Sequence, residues 1–158
     1  MKKTLTKLFL FTAITLSTAC ASEDTNSSYQ IQLQNSQSPQ LQNAKVKVKL
    51  YGTNIRSAGN IATLLSETIT EIDAIPATIS LEWPQQAQQL IAEPAVTNPE
   101  DAGYYLNISV DVNNDGRFCS GDLRQDFNKT PFKMMANKPK TPLQYELIAI
   151  ANEICEPF

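Results

Sequence analysis

The twelve residues DVNNDGRFCSGD, Asp111 to Asp122, concentrate oxygen donors at a spacing that can do chemistry. Asp111, Asn113 and Asp115 alternate, Gly116 follows, and Asp122 stands at the twelfth position. Calcium takes six to eight oxygens at about 2.3–2.6 Å, and side chains at alternate positions can converge on one such centre. The backbone carbonyl of Arg117 would add a ligand, and Gly116 would permit the sharp turn that brings the second half of the loop around. One reading is therefore a calcium site made by Asp111, Asn113, Asp115, Arg117 and Asp122. The other is structural: Asn114, Asp115 and Gly116 between two apolar-patterned segments suit a hairpin turn, with Asp111 and Asn113 facing water.

Other chemistry is thinly represented. The chain has no histidine, which excludes His-based zinc sites, Ser-His-Asp triads and Cys-His dyads together. Glu100-Asp101 and the pair Glu67 and Glu71 read as solvated acids. Trp83 with Tyr104 and Tyr105 could stack a ligand, although an inward-facing Trp more often belongs to a core. The expectation is a protein that binds rather than catalyses.

Before any element is placed, the N-terminus must be set apart. Met1 to Lys7 is basic, Leu8 to Leu16 is an apolar run too short for a bilayer, and STACAS follows. A span needs about 20 residues, so this pattern reads as an export signal. One cut falls before Cys20, whose thiol would carry a lipid; the alternative follows Ala21, at the A-x-A pattern Ala19-Cys20-Ala21. Residues 1–19 are thus read as signal peptide, and the chain as a lipoprotein of a bacterial outer membrane or, by the second cut, a soluble periplasmic protein. Ala21 rather than Asp after Cys20 gives no indication of inner-membrane retention. Either cut leaves Cys119 and Cys155 in an oxidising compartment, where a pair reads as a disulfide and otherwise as two buried thiols. Loss of Lys2, Lys3 and Lys7 with no acid takes the formal charge from −3 to −6. An acidic chain disfavours nucleic acid as a partner.

The loop needs a scaffold, and period-two alternation supplies one. Residues 20–43 are rich in Ser, Asn and Gln and read as a flexible tether, although Tyr29 to Gln34 alternates and could pair as an edge strand. From 44 to 158 a single domain is expected. Val46, Val48 and Leu50 alternate with Lys45, Lys47 and Lys49, a half-buried strand with a solvated lysine face or, alternatively, a basic binding stripe. Ile79, Leu81 and Trp83 form an inward row between two prolines, and Leu106, Ile108, Val110 and Val112 form another. YELIAIANEI reads as the last strand. Residues 60–72 suit either a strand or a helical face, and Pro84 to Pro94 reads as a short helix or ordered loop that packs Leu90 and Ile91. LRQDFNK, after the acidic loop, could begin a short helix. Together these give an all-β fold, an immunoglobulin- or transthyretin-like β-sandwich of about seven strands.

VKVKLYG, IPATISLEWP and YYLNISVDVNNDGRF, taken in that order, resemble the small bacterial lipoprotein domains of the YbaY/YscW type. Residues 44–118 carry the likeness; the basic, proline-containing opening of that family is missing, and the cysteine pair with the acidic loop is not part of its pattern. In spacing, Asp111 to Asp122 is similar to EF-hand and dockerin-type loops, the latter also ending on Asp. The first resemblance implies a β-sandwich at the outer membrane; secretion-associated members of that family act as lipoprotein pilots or chaperones, and with the lipid expected on Cys20 the chain is expected to serve as an accessory that binds another envelope protein. The second implies a calcium-dependent structural or ligand-binding module.

Overall fold

The computed structural model describes residues 26–35, 39–57, 61–129, 135–151 and 155–158. The expected export signal, residues 1–19, and the expected lipidation site Cys20 lie outside the described residues. Among the described residues, no helix is long and apolar enough to cross a membrane.

Alternating apolar residues build the strands. They are β1 Asn26–Gln34, β2 Ala44–Asn54, β3 Thr63–Ile72, β4 Ala77–Pro84, β5 Ala102–Asp111, β6 Arg117–Phe118, β7 Leu123–Gln125, β8 Leu143–Ala149 and β9 Glu156–Pro157. Seven of them form one sheet in the order β3-β2-β5-β7-β8-β1-β4, and β6 pairs with β9 in a separate ribbon. The large sheet curls until its two ends meet, where Ser66 Oγ on β3 donates to the Glu82 carbonyl on β4 at 2.7 Å. The all-β expectation holds, in a form between sandwich and barrel.

The core is the inward half of each alternation. Val46, Val48 and Leu50 on β2, Ile79, Leu81 and Trp83 on β4, and Leu106, Ile108 and Val110 on β5 are all buried. Trp83 packs tilted on Tyr104 at 5.2 Å and edge-on to Tyr29 at 6.0 Å, so the aromatic group is core. Tyr105 is on the opposite face, stacked on Tyr51 at 5.2 Å. Apolar burial of this kind stabilises by about 1.5–3 kcal/mol per large side chain.

Two expectations about the early chain need correction. Residues 26–34, placed in the 20–43 tether, are an integral strand, with Tyr29, Ile31 and Leu33 buried. Nor is β1 an edge: it pairs antiparallel with β4 along one side and parallel with β8 along the other. The glutamines that made the segment look soluble point away from the core, as the Gln144 Nε2 to Gln32 Oε1 bond of 3.2 Å illustrates. Lys138 fastens the start of the strand through Ser27 Oγ at 2.6 Å and the Ser28 carbonyl at 2.9 Å. Tyr29 donates its hydroxyl to the Thr141 carbonyl at 2.8 Å.

The ambiguous stretch before Ile72 is strand β3, pairing with β2 through a bulge that leaves Leu65 extra between Ser66 and Leu64. Ala87–Leu90 is a single 3-10 turn with Ile91 buried and Leu90 exposed, so one of the two expected packing residues points out. After the acidic loop the chain forms β7 rather than a helix.

Candidate functional site

The acidic loop joins β5 to β7, and its ends are closed by the pairs Val110 to Leu123 and Ser109 to Arg124. It is not a tight hairpin, because the residues just after Gly116 pair elsewhere. Arg117 lies opposite Pro157 and Phe118 opposite Glu156, so the C-terminal tail forms the second strand of this ribbon. Gly116 and Gly121 have φ of +77° and +98°, and Asn114 has φ of +55°. Those left-handed positions are open to Gly and Asn at little steric cost, and they let a loop this short fold back on itself.

Folding back lets the carboxylates hold the loop from inside. Asp111, fully buried, accepts from Asp115 N at 3.2 Å through Oδ1 and from Gly116 N at 2.8 Å through Oδ2. Asp122, 5% exposed, accepts from Val112 N at 2.9 Å through Oδ1 and from Cys119 N at 2.6 Å through Oδ2. Asp115 is exposed; its Oδ1 accepts from Arg117 N at 2.8 Å and its Oδ2 from Asn113 Nδ2 at 3.1 Å. Asn113 Oδ1 accepts from Asp115 N at 3.3 Å. Bonds from amides to an ionised carboxylate are about twice as strong as neutral ones. The loop is thereby fixed by its own acids.

The residues nominated from sequence are brought into one loop, but not onto one point. Among the described residues, no group of three or more Asp, Glu, Cys or His side chains is placed to share a metal ion. Asp111 and Asp122 go inward while Asp115 and Asn113 stay at the surface. The buried pair also has no ion-pair partner among the described residues.

The expected cysteine pair is joined: Cys119 and Cys155 form a disulfide with Cα atoms 4.4 Å apart. It ties the loop to the tail, and backbone bonds reinforce the tie. Ile150 N donates to the Asp122 carbonyl at 2.7 Å, Gly121 N to the Ile150 carbonyl at 3.0 Å, and Phe158 N to the Gly116 carbonyl at 3.0 Å. The Phe158 ring lies 6.3 Å from that of Phe118, and Lys47 Nζ sits 4.3 Å above the Phe158 ring. The sequence places Ile150 in an expected last strand and gives no role to Phe118 or Phe158. The signal for Phe158 is its position three residues after Cys155.

No family model and no curated protein matches this chain. Among solved structures, it is similar to an alternative pilotin from the type II secretion system of Vibrio cholerae, with 14% identity and a TM-score of 0.52, covering 80% of this chain and 99% of that chain. At that identity the likeness establishes a shared fold over nearly the whole of the other protein.

Proposed function

We propose that this protein is an exported lipoprotein of the bacterial outer membrane that serves another envelope protein as a pilot-like accessory, by binding and without catalysis. The observation that carries the reading is the fold shared with an alternative pilotin along 99% of that protein. It is supported by the export signal ending at Cys20, and by the disulfide, which belongs to an oxidising compartment. A partner strand cannot add at Tyr29 to Gln34, since both sides of that strand are occupied. Contact would come instead through the outer edges of β3 and β4, the two ends of the sheet order, through a face of the sheet or through a loop.

The test is fractionation of cells expressing the full chain or Cys20→Ser, with crosslinking of the wild type in place. The wild type should sediment with the outer membrane and Cys20→Ser should be released with the periplasm. Removing the chain should lower the outer-membrane amount of the crosslinked envelope protein. Cytoplasmic retention, or an unchanged partner, would sink the proposal.

A second reading, a calcium-stabilised module, is favoured by one observation: two buried carboxylates, Asp111 and Asp122, share a loop, and among the described residues no Lys or Arg side chain pairs with either. Asp115 would have to turn inward from the Arg117 amide to complete the oxygens. Calorimetric titration with calcium, beside Asp115→Ala, decides it. Saturable heat that the variant loses supports the ion; no heat and no change in melting removes it.

A further inference from the structure

The outer face of the sheet carries a transverse row that the acidic loop does not use. The ladder register sets its members: Ile69 lies opposite Lys47, Lys47 opposite Ser109, Ser109 opposite Arg124, and Arg124 opposite Ile148. Lys47, Ser109, Arg124 and Ile148 point away from the core because their sequence neighbours Val46, Val48, Ile108, Val110, Leu123 and Leu147 fill it, and Ile69 is itself exposed. Lys47 and Arg124 stand two strand spacings apart, about 10 Å between backbones. Side chains of that length can close on one carboxylate, and the Ser109 hydroxyl lies between them as a further donor. At the ends of the row Ile69 is 52% exposed and Ile148 38% exposed.

The disulfide-tied tail rises beside this row and makes it a groove of about 330 Å³, lined in part by Lys47, Ser109, Arg124, Phe127, Glu156 and Phe158. Phe127 is 44% exposed there. Lys49 also lines the groove but is paired with Glu67 at 3.5 Å. Among the described residues no ion pair takes up Lys47, whose ammonium rests over the Phe158 ring, or Arg124, and Glu156 is the one acid in the lining. On a chain of formal net charge −3, this is a local excess of positive charge beside exposed apolar side chains.

We propose that the groove binds an acidic peptide segment of a partner protein. A carboxylate of the segment lies between Lys47 and Arg124, with Ser109 donating to it, and a neighbouring apolar side chain rests on Phe127. The proposal deepens the accessory reading and rests on it for the partner being a protein. Charge complementarity selects the acidic segment. The recessed, aromatic-sided lining suits a side chain better than a flat lipid surface.

The chain exported with Cys20→Ser, so that it carries no lipid, is panned against a displayed library of random peptides, and enriched peptides are synthesised and titrated. Enriched sequences should combine acidic with aromatic or aliphatic residues. Their affinity should fall about tenfold or more in Lys47→Glu/Arg124→Glu, persist in Lys140→Glu outside the groove, and weaken with salt. An unchanged melting temperature in the double variant keeps that loss assigned to binding. Enriched peptides without acids, equal binding by the double variant, or no enrichment over a blank would each overturn the proposal. Vesicles of anionic lipid bound by the parent and released by the double variant would assign the row to a membrane surface and overturn it too. Failure here leaves outer-membrane fractionation untouched, whereas peptide binding by a chain that stays in the cytoplasm would sink the envelope reading alone.

Discussion

Replacing Asp122 by alanine removes a side chain that joins the residue after β5 to Cys119 of the disulfide. Its two oxygens accept from Val112 N at 2.9 Å and Cys119 N at 2.6 Å, in a residue only 5% exposed. Hydrogen bonds to a charged group contribute about 1.5–3 kcal/mol each, and buried amides left without a partner incur a similar penalty. The expected loss is therefore about 3–5 kcal/mol. For a chain of this size one kcal/mol moves the melting temperature by about 2–4 °C, so the drop should exceed roughly 6 °C. Asp122→Asn keeps one acceptor and turns an N–H toward the other amide, so it should lose at least half as much. Urea unfolding of all three proteins in a calcium chelator, repeated with calcium, measures this directly. An alanine variant within about 0.5 kcal/mol of wild type would refute the internal-cap account. A loss that appears only with calcium would transfer the effect to a bound ion.

Three further outcomes are expected. A Cβ at Gly52 would sit 2.8 Å from both Ile91 Cγ1 and Leu65 Cδ1, so Gly52→Ala should destabilise by about 1–3 kcal/mol in chemical denaturation, and a neutral result would show that those side chains move freely. Removing the disulfide with Cys119→Ser/Cys155→Ser should lower stability by about 4 kcal/mol on the chain-entropy account and speed amide exchange at Ile150 and Phe158 first; unaltered exchange there would mean that β9 holds without it. Burial raises the Tyr145 hydroxyl above its ordinary 10.0, with Tyr29 beside it adding to the shift, and burial raises Tyr29 and Tyr104 as well. Below pH 10 both folded and unfolded chains keep these protons; above it the unfolded chain releases them first, so melting temperature should fall as pH climbs past 10, less steeply in Tyr145→Phe. Equal slopes in the two proteins would refute that assignment.

What the sequence by itself determined is the face of each residue in the plainly alternating strands. Lys45 to Leu50 and Ile79 to Trp83 fix inside and outside, because side-chain alternation is a local property of an extended chain. The acids and glycines of residues 111–122 likewise announce a loop that folds back, and the spacing of local donors accounts for it. Tertiary structure decided which edges meet. Every strand edge offers the same amides and carbonyls, so nothing within Tyr29 to Gln34 says that it slots between β4 and β8 rather than trailing in a tether. By the same token, Lys47, Ser109 and Arg124 are far apart in sequence and become one row only through the registers of β2, β5 and β7. The fate of the acidic loop turned on a non-local choice too: its residues after Gly116 pair with a tail that the disulfide brings alongside, a contact no local pattern encodes.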